Sequence, residues 1–178
     1  MSALNYFPES WFGDRATAKY GADLQALGEL PLLSIESAEV FRLLMCPALG
    51  SSPYSFLVKR TEKCWWLQHK WQQHSQWSEH DRTQTFFDPP RLHHSAYLLT
   101  GRKAHKLESL IQKLKSLFFS LPIQDDPLEG CFDGTAWLVE GKLDRQYHAI
   151  CRRDPKLSAL SELGAYLDKL TDFERYRV

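Results

Sequence analysis

Two short runs near the C-terminal end, residues 135–140 and 146–152, constrain the fold of this 178-residue chain more than any other feature. Each has strand composition, and Asp144-Arg145 lies between them in the joint. If those two residues form the turn, opposed residues sum to 289, and a four-residue loop from Leu143 to Gln146 gives the same register. Opposed residues share a face of an antiparallel pair. Trp137 then faces Arg152, Val139 faces Ile150 and Gly141 faces His148. The other side pairs Ala136 with Arg153, Leu138 with Cys151, Glu140 with Ala149 and Lys142 with Tyr147. The pairing separates a Trp137/His148/Arg152 face from a Glu140/Tyr147 face, so Glu140 and His148 do not meet as an acid–base dyad.

The rest of the chain supplies what a hairpin needs to become a domain. Residues 14–27 read as a modest helix stopped by Gly28, with Pro31 beyond it. Residues 40–46, VFRLLMC, form an apolar run of strand length closed by Pro47. YSFLVKR and KCWWLQHKW follow as a hairpin or meander. AYLLT reads as a short strand before the clearest helix, in which Leu107, Leu110, Ile111, Leu114, Leu117 and Phe118 recur at helical spacing. Leu160, Leu163, Leu167 and Leu170 mark a further amphipathic helix after Asp154-Pro155. The expectation is a single α+β domain over residues 1–178, a mostly antiparallel sheet packed by two amphipathic helices. Residues 1–39 form its N-terminal helical lead-in and residues 72–95 a long polar loop.

Composition narrows the function. The 22 basic and 22 acidic residues cancel, which argues against a dedicated nucleic-acid binder. The charge is uneven, because residues 59–115 hold eleven Lys/Arg against five Asp/Glu, a basic centre suited to steering an acidic partner. The start has neither a basic region nor an apolar core of leader type, and no apolar run reaches membrane-spanning length. Cys46, Cys64, Cys131 and Cys151 show no C-x-x-C spacing, and a reduced, cytoplasmic, soluble protein is expected.

Catalytic and metal motifs are missing from the sequence. His69, His74, His80 and the adjacent His93-His94 fit neither H-E-x-x-H nor a Cys/His zinc spacing, so no metal and no cofactor are expected. There is no phosphate-binding glycine loop and no nucleophile elbow. Cys151 and His148 fall on opposite faces of the hairpin, which separates a thiol from its base. Of the tryptophans 65, 66, 71 and 77, most belong to a core with a partly exposed flank. Trp77, in the polar loop, is the candidate contact residue.

The pattern D-G-x-x-W-x-x-E, a spacer, then Y-H-x-x-x-R is carried by Asp133, Gly134, Trp137, Glu140, Tyr147, His148 and Arg152. It resembles the C-terminal signature of a family of small bacterial proteins without an assigned function. Those proteins tend to have a Phe-Arg-Leu strand like the one in VFRLL, and a helix before the signature. The resemblance runs from Val40 to Pro155. Arg145 departs from it where the turn would favour glycine, and Arg153 where an aromatic would follow. It implies a fold rather than an activity.

The functional expectation is a binding protein of immunity type, which neutralises a cognate toxin by direct contact. The binding residues named from sequence are Asp133, Trp137, His148, Arg152 and Trp77. A small enzyme or ligand-binding domain using the Trp137/His148/Arg152 face is the alternative. The plainer reading of that face is structural, with Arg152 capping Trp137 and His148 bonded to backbone. A phage- or plasmid-encoded inhibitor of a host enzyme is a third reading that the sequence does not separate from the first.

Overall fold

The structure is a computed structural model that describes residues 5–8, 14–47, 52–62, 64–73, 90–121, 134–153 and 158–172. It contains helix α1 (Asp14–Ala26), a 3₁₀ turn (Leu32–Ser34), strands β1 (Glu39–Pro47), β2 (Tyr54–Arg60), β3 (Trp65–Gln73) and β4 (Arg91–Leu99), helix α2 (Gly101–Phe118), strands β5 (Thr135–Leu143) and β6 (Gln146–Arg153), and helix α3 (Ser158–Thr171). The six strands form one antiparallel sheet in the order β4-β3-β2-β1-β5-β6. The fold is α+β.

β1 through β4 build outward as a meander. α2 then carries the chain back to the far side of β1, where β5 and β6 add as a hairpin. The hairpin has the register that sums to 289, from Ala136 opposite Arg153 to Leu143 opposite Gln146. Asp144 takes the left-handed position of the turn at φ 53°, a conformation that Asp tolerates better than most residues. Its N–H donates to the Ala38 carbonyl at 2.6 Å, which ties the turn to the approach to β1.

α2 and α3 cover one face. Their leucines, with Ile111 and Phe118, bury against Phe41, Leu43, Phe56, Leu67, Val139 and Ile150. Tyr166 Oη donates to the Lys103 carbonyl at 3.0 Å and links α3 to α2. The opposite face carries α1, whose Tyr20 and Leu24 pack on Leu44, Leu138 and Cys151. The N-terminal helix is therefore a third layer of the core and not only a lead-in. Gly28 ends α1 at φ +60°, with Gly28 N–H donating to Gln25 and Glu29 N–H to Leu24, both at 2.9 Å, the Schellman closure.

The strand pair β3–β4 reaches further than its hydrophobic pattern suggests. Residues 72–73 extend β3 and residues 91–95 begin β4, so the expected polar loop is shorter at both ends. β4 is an edge strand whose side chains stay largely exposed on one face, so apolar alternation does not mark its beginning.

Gly141 sits where β5 passes beneath two rings. A methyl group there would lie 2.6 Å from Phe118 Cε1 and 2.7 Å from Phe41 Cε1, and both phenylalanines are fully buried. Gly141→Ala is expected to lower the unfolding free energy by about 1–3 kcal/mol through overpacking. Urea unfolding of the two proteins measures this, and an unchanged midpoint would contradict it.

Candidate functional site

The sheet divides the signature residues as the hairpin register requires, and the structure gives the two groups different surroundings. Glu140 and Tyr147 point to the α1 side, where Arg42 of β1 stands directly opposite Glu140. Arg42 Nε donates to Glu140 Oε2 at 2.6 Å, and Nη2 lies 2.5 Å from the same oxygen. Both side chains are fully buried. Tyr147 Oη donates to the other Glu140 oxygen at 2.9 Å. Burial raises the Glu140 carboxyl above its usual range, opposed by the adjacent guanidinium and the Tyr147 hydroxyl.

The cluster continues under the segment that follows α1. Arg42 Nη1 donates to the Leu30 carbonyl at 2.6 Å and lies 3.8 Å from Glu29 Oε2. Glu29, delivered by the Gly28 turn, accepts from Ser55 Oγ at 2.7 Å and lies 3.6 Å from Lys70 Nζ. Two cations and two carboxylates thus balance in the interior. This chemistry fits a structural clamp, because no atom of the central Arg42–Glu140 pair is open to a ligand. Sequence reading placed Arg42 in the VFRLL strand but did not pair it with Glu140, 98 positions away.

Trp137, His148 and Arg152 lie together on the α2/α3 side. The Trp137 ring rests on the backbone of α3 at Gly164, beside Met45. His148 is 8% exposed, its Nε2 pairs with the Leu121 carbonyl at 2.8 Å, and its ring meets the edge of Phe118 at 5.1 Å. Burial lowers its pKa, helped by the nearby Arg152 charge. Arg152 Nη1 donates to the Cys151 carbonyl at 2.8 Å. Asp133 and Trp77 lie outside the described residues.

The histidines have diverse settings. His69 is in the core, stacked between Phe56 at 4.6 Å and Trp71 at 4.7 Å, and Trp71 stacks in turn on His93 at 4.9 Å. His74 and His80 lie outside the described residues. Among the described residues, no three His, Cys, Asp or Glu side chains are grouped to hold a metal ion, and no helix is long and apolar enough to cross a membrane.

A cavity of about 390 Å³ lies between the β2–β3 turn and the start of α2, lined by Arg60, Cys64, Trp65, His105 and Glu108 among others. Several of its polar groups bond one another. Glu108 accepts from Trp65 Nε1 at 2.8 Å and from Arg60 Nη1 at 3.2 Å, and Cys64 Sγ lies 2.8 Å from Thr61 Oγ1.

The surface feature with the greatest capacity for recognition is the α1 side of β3 and β4. α1 and its connection meet β3 at Lys70 and Gln72, which donate to the Gly28 and Ala26 carbonyls. Further along β3 Trp66 (39% exposed) pairs with Leu98 (55%), while Leu92 (47%) stands opposite Gln72 beside Gly28. Leu30 and Leu33, also exposed, belong to the adjoining segment over β1 and β2. Five of the six large apolar side chains exposed among the described residues are therefore on one side of the sheet. Its β2–β4 positions carry Lys59, Lys70 and His94 and no carboxylate. Period-two alternation through Trp65-Trp66 was the available signal, since adjacent strand residues cannot share a face.

Comparison of the chain with protein-family models, with curated proteins and with solved structures finds no match.

His69 gives a pH prediction. Burial lowers its pKa from 6.5 to about 3. As pH falls below about 6.5 the unfolded chain takes up this proton first, so stability falls by at most about 1.4 kcal/mol per pH unit until the folded pKa is reached. His69→Phe, which keeps the ring between Phe56 and Trp71, should lose less stability between about pH 6.5 and 4.5. Parallel pH profiles in chemical denaturation would contradict this assignment.

Proposed function

We propose that this chain is a protein-binding protein of immunity type, which neutralises an acidic cognate toxin through the exposed α1-side face of β3 and β4. The observation that carries this reading is the placement of exposed apolar side chains on one side of the sheet, with Trp66 directly opposite Leu98. Tryptophan is the residue type most enriched at the energetic centre of interfaces, where it combines large apolar area with few rotatable bonds. Leu98, directly across from it, adds apolar area that helps exclude water. Lys59 stands on this face beside Trp66 and no carboxylate occupies its sheet positions, which suits an acidic partner and speeds its encounter.

The Trp137/His148/Arg152 group is less suited to this role, since His148 and Trp137 are occupied by α2 and α3. The resemblance of the hairpin to small bacterial proteins supports the bacterial setting. The cytoplasm is the compartment in which such a protein would meet its toxin.

The test is co-purification with the product of the neighbouring gene, followed by calorimetry with wild type and Trp66→Ala. The substitution is expected to weaken binding about 30-fold or more, a loss of ~2 kcal/mol or greater, while leaving thermal unfolding unchanged. Equal affinity of the two proteins, or a neighbouring gene harmless without this protein, would overturn the reading.

A further inference from the structure

β4 is the outer strand of the sheet, and among the described residues it pairs with β3 alone. Edge strands are ordinarily blunted by proline, by charged residues, by bulges or by brevity. β4 has nine residues, pairs with β3 without a bulge from Arg91 to Leu99, and contains no proline, lysine or carboxylate. Its only fixed charge is Arg91, at the very end.

We propose that β4 pairs antiparallel with β4 of a second copy of this chain, joining two sheets across a two-fold axis. The geometry fixes the register. A two-fold axis normal to the sheet keeps the same face of both copies on the same side. Opposed residues must then have the same parity along the strand, and one residue faces its own counterpart. Complete overlap of Arg91–Leu99 puts that residue at Ser95. In this register Leu92 stands opposite Leu98 of the second copy, and Leu98 opposite Leu92. These are the two exposed leucines of the strand. Strand length and leucine placement, two separate features, therefore select one arrangement.

Pairing also enlarges the recognition face. Trp66 and Leu98 become continuous with Leu92 and Gln72 of the second copy, because Trp66 is opposite Leu98 and Gln72 opposite Leu92 within each chain. Four strands then floor one trough, walled on each side by the segment after α1. The pairing stands whether or not a cognate toxin binds there.

The test is sedimentation equilibrium of the full chain with two charge substitutions. Wild type is expected to form dimers. Leu92→Glu and Leu98→Lys, each alone, set a charge against a leucine at both junctions and should weaken self-association at least roughly ten-fold, ~1.4 kcal/mol. Mixing them should restore a heterodimer, with the introduced glutamate opposite the introduced lysine at one junction and Leu98 opposite Leu92 at the other. A monomeric wild type would overturn the proposal, as would a dimer indifferent to both changes. Single variants that weaken without recovering on mixing would overturn the register. Trp66→Ala, on β3 behind Leu98 and outside the β4–β4 seam itself, should remain dimeric, so loss of the toxin-binding reading leaves this result intact.

Discussion

A guanidinium placed in the middle of a sheet must find its counter-charge there, and this requirement organises the molecule. Removing one partner of a buried ion pair costs about 3–5 kcal/mol, because the other charge is left without compensation. Arg42 is on the central strand, buried on both faces, and only a carboxylate delivered by the fold can meet it. β5 supplies Glu140 directly opposite, β6 supplies the Tyr147 hydroxyl, and the turn after α1 supplies the Leu30 carbonyl and Glu29. Ser55 and Lys70 complete the Glu29 end from β2 and β3. The clamp thus joins five of the six strands and the turn after α1. It also sets register, since a slip of one residue between β1 and β5 would send Glu140 to the opposite face.

This explains why the hairpin signature looks chemical when read as a line of letters. Of its polar residues, Glu140 and Tyr147 serve the clamp, and Trp137 and His148 fasten the sheet to α3 and to the end of α2. The concentration of functional groups reflects the demands of an interior carrying buried charge. The surface proposed for recognition is the one that the helices leave open, where Trp66, Leu92 and Leu98 lie.

The hairpin register was legible in the sequence because a two-residue periodicity and a turn at Asp144-Arg145 determine it locally. The helices were legible for the same reason, from leucine spacing. The Arg42–Glu140 contact was not, because it spans 98 positions and depends on β5 returning beside β1 after α2. The start of β4 was hidden because an exposed edge strand has little hydrophobic alternation to display. Trp65 and Trp66 looked alike as neighbours, yet one is 3% exposed and the other 39%, a difference set by which face each takes. Asp133 and Trp77 fall outside the described residues, and of the residues on the proposed surface sequence reading placed Trp66 in the core and its flank, Leu92 in the polar loop and Leu98 in the short AYLLT strand.

The central claim is that Arg42 and Glu140 act as one unit on which the sheet depends. A double-mutant cycle with Arg42→Met, Glu140→Met and the double substitution, followed by urea unfolding at neutral pH, measures that coupling directly. Each single change should cost about 3–5 kcal/mol and the double change no more than either alone. Additive losses, with a coupling energy below about 0.5 kcal/mol, would contradict the account.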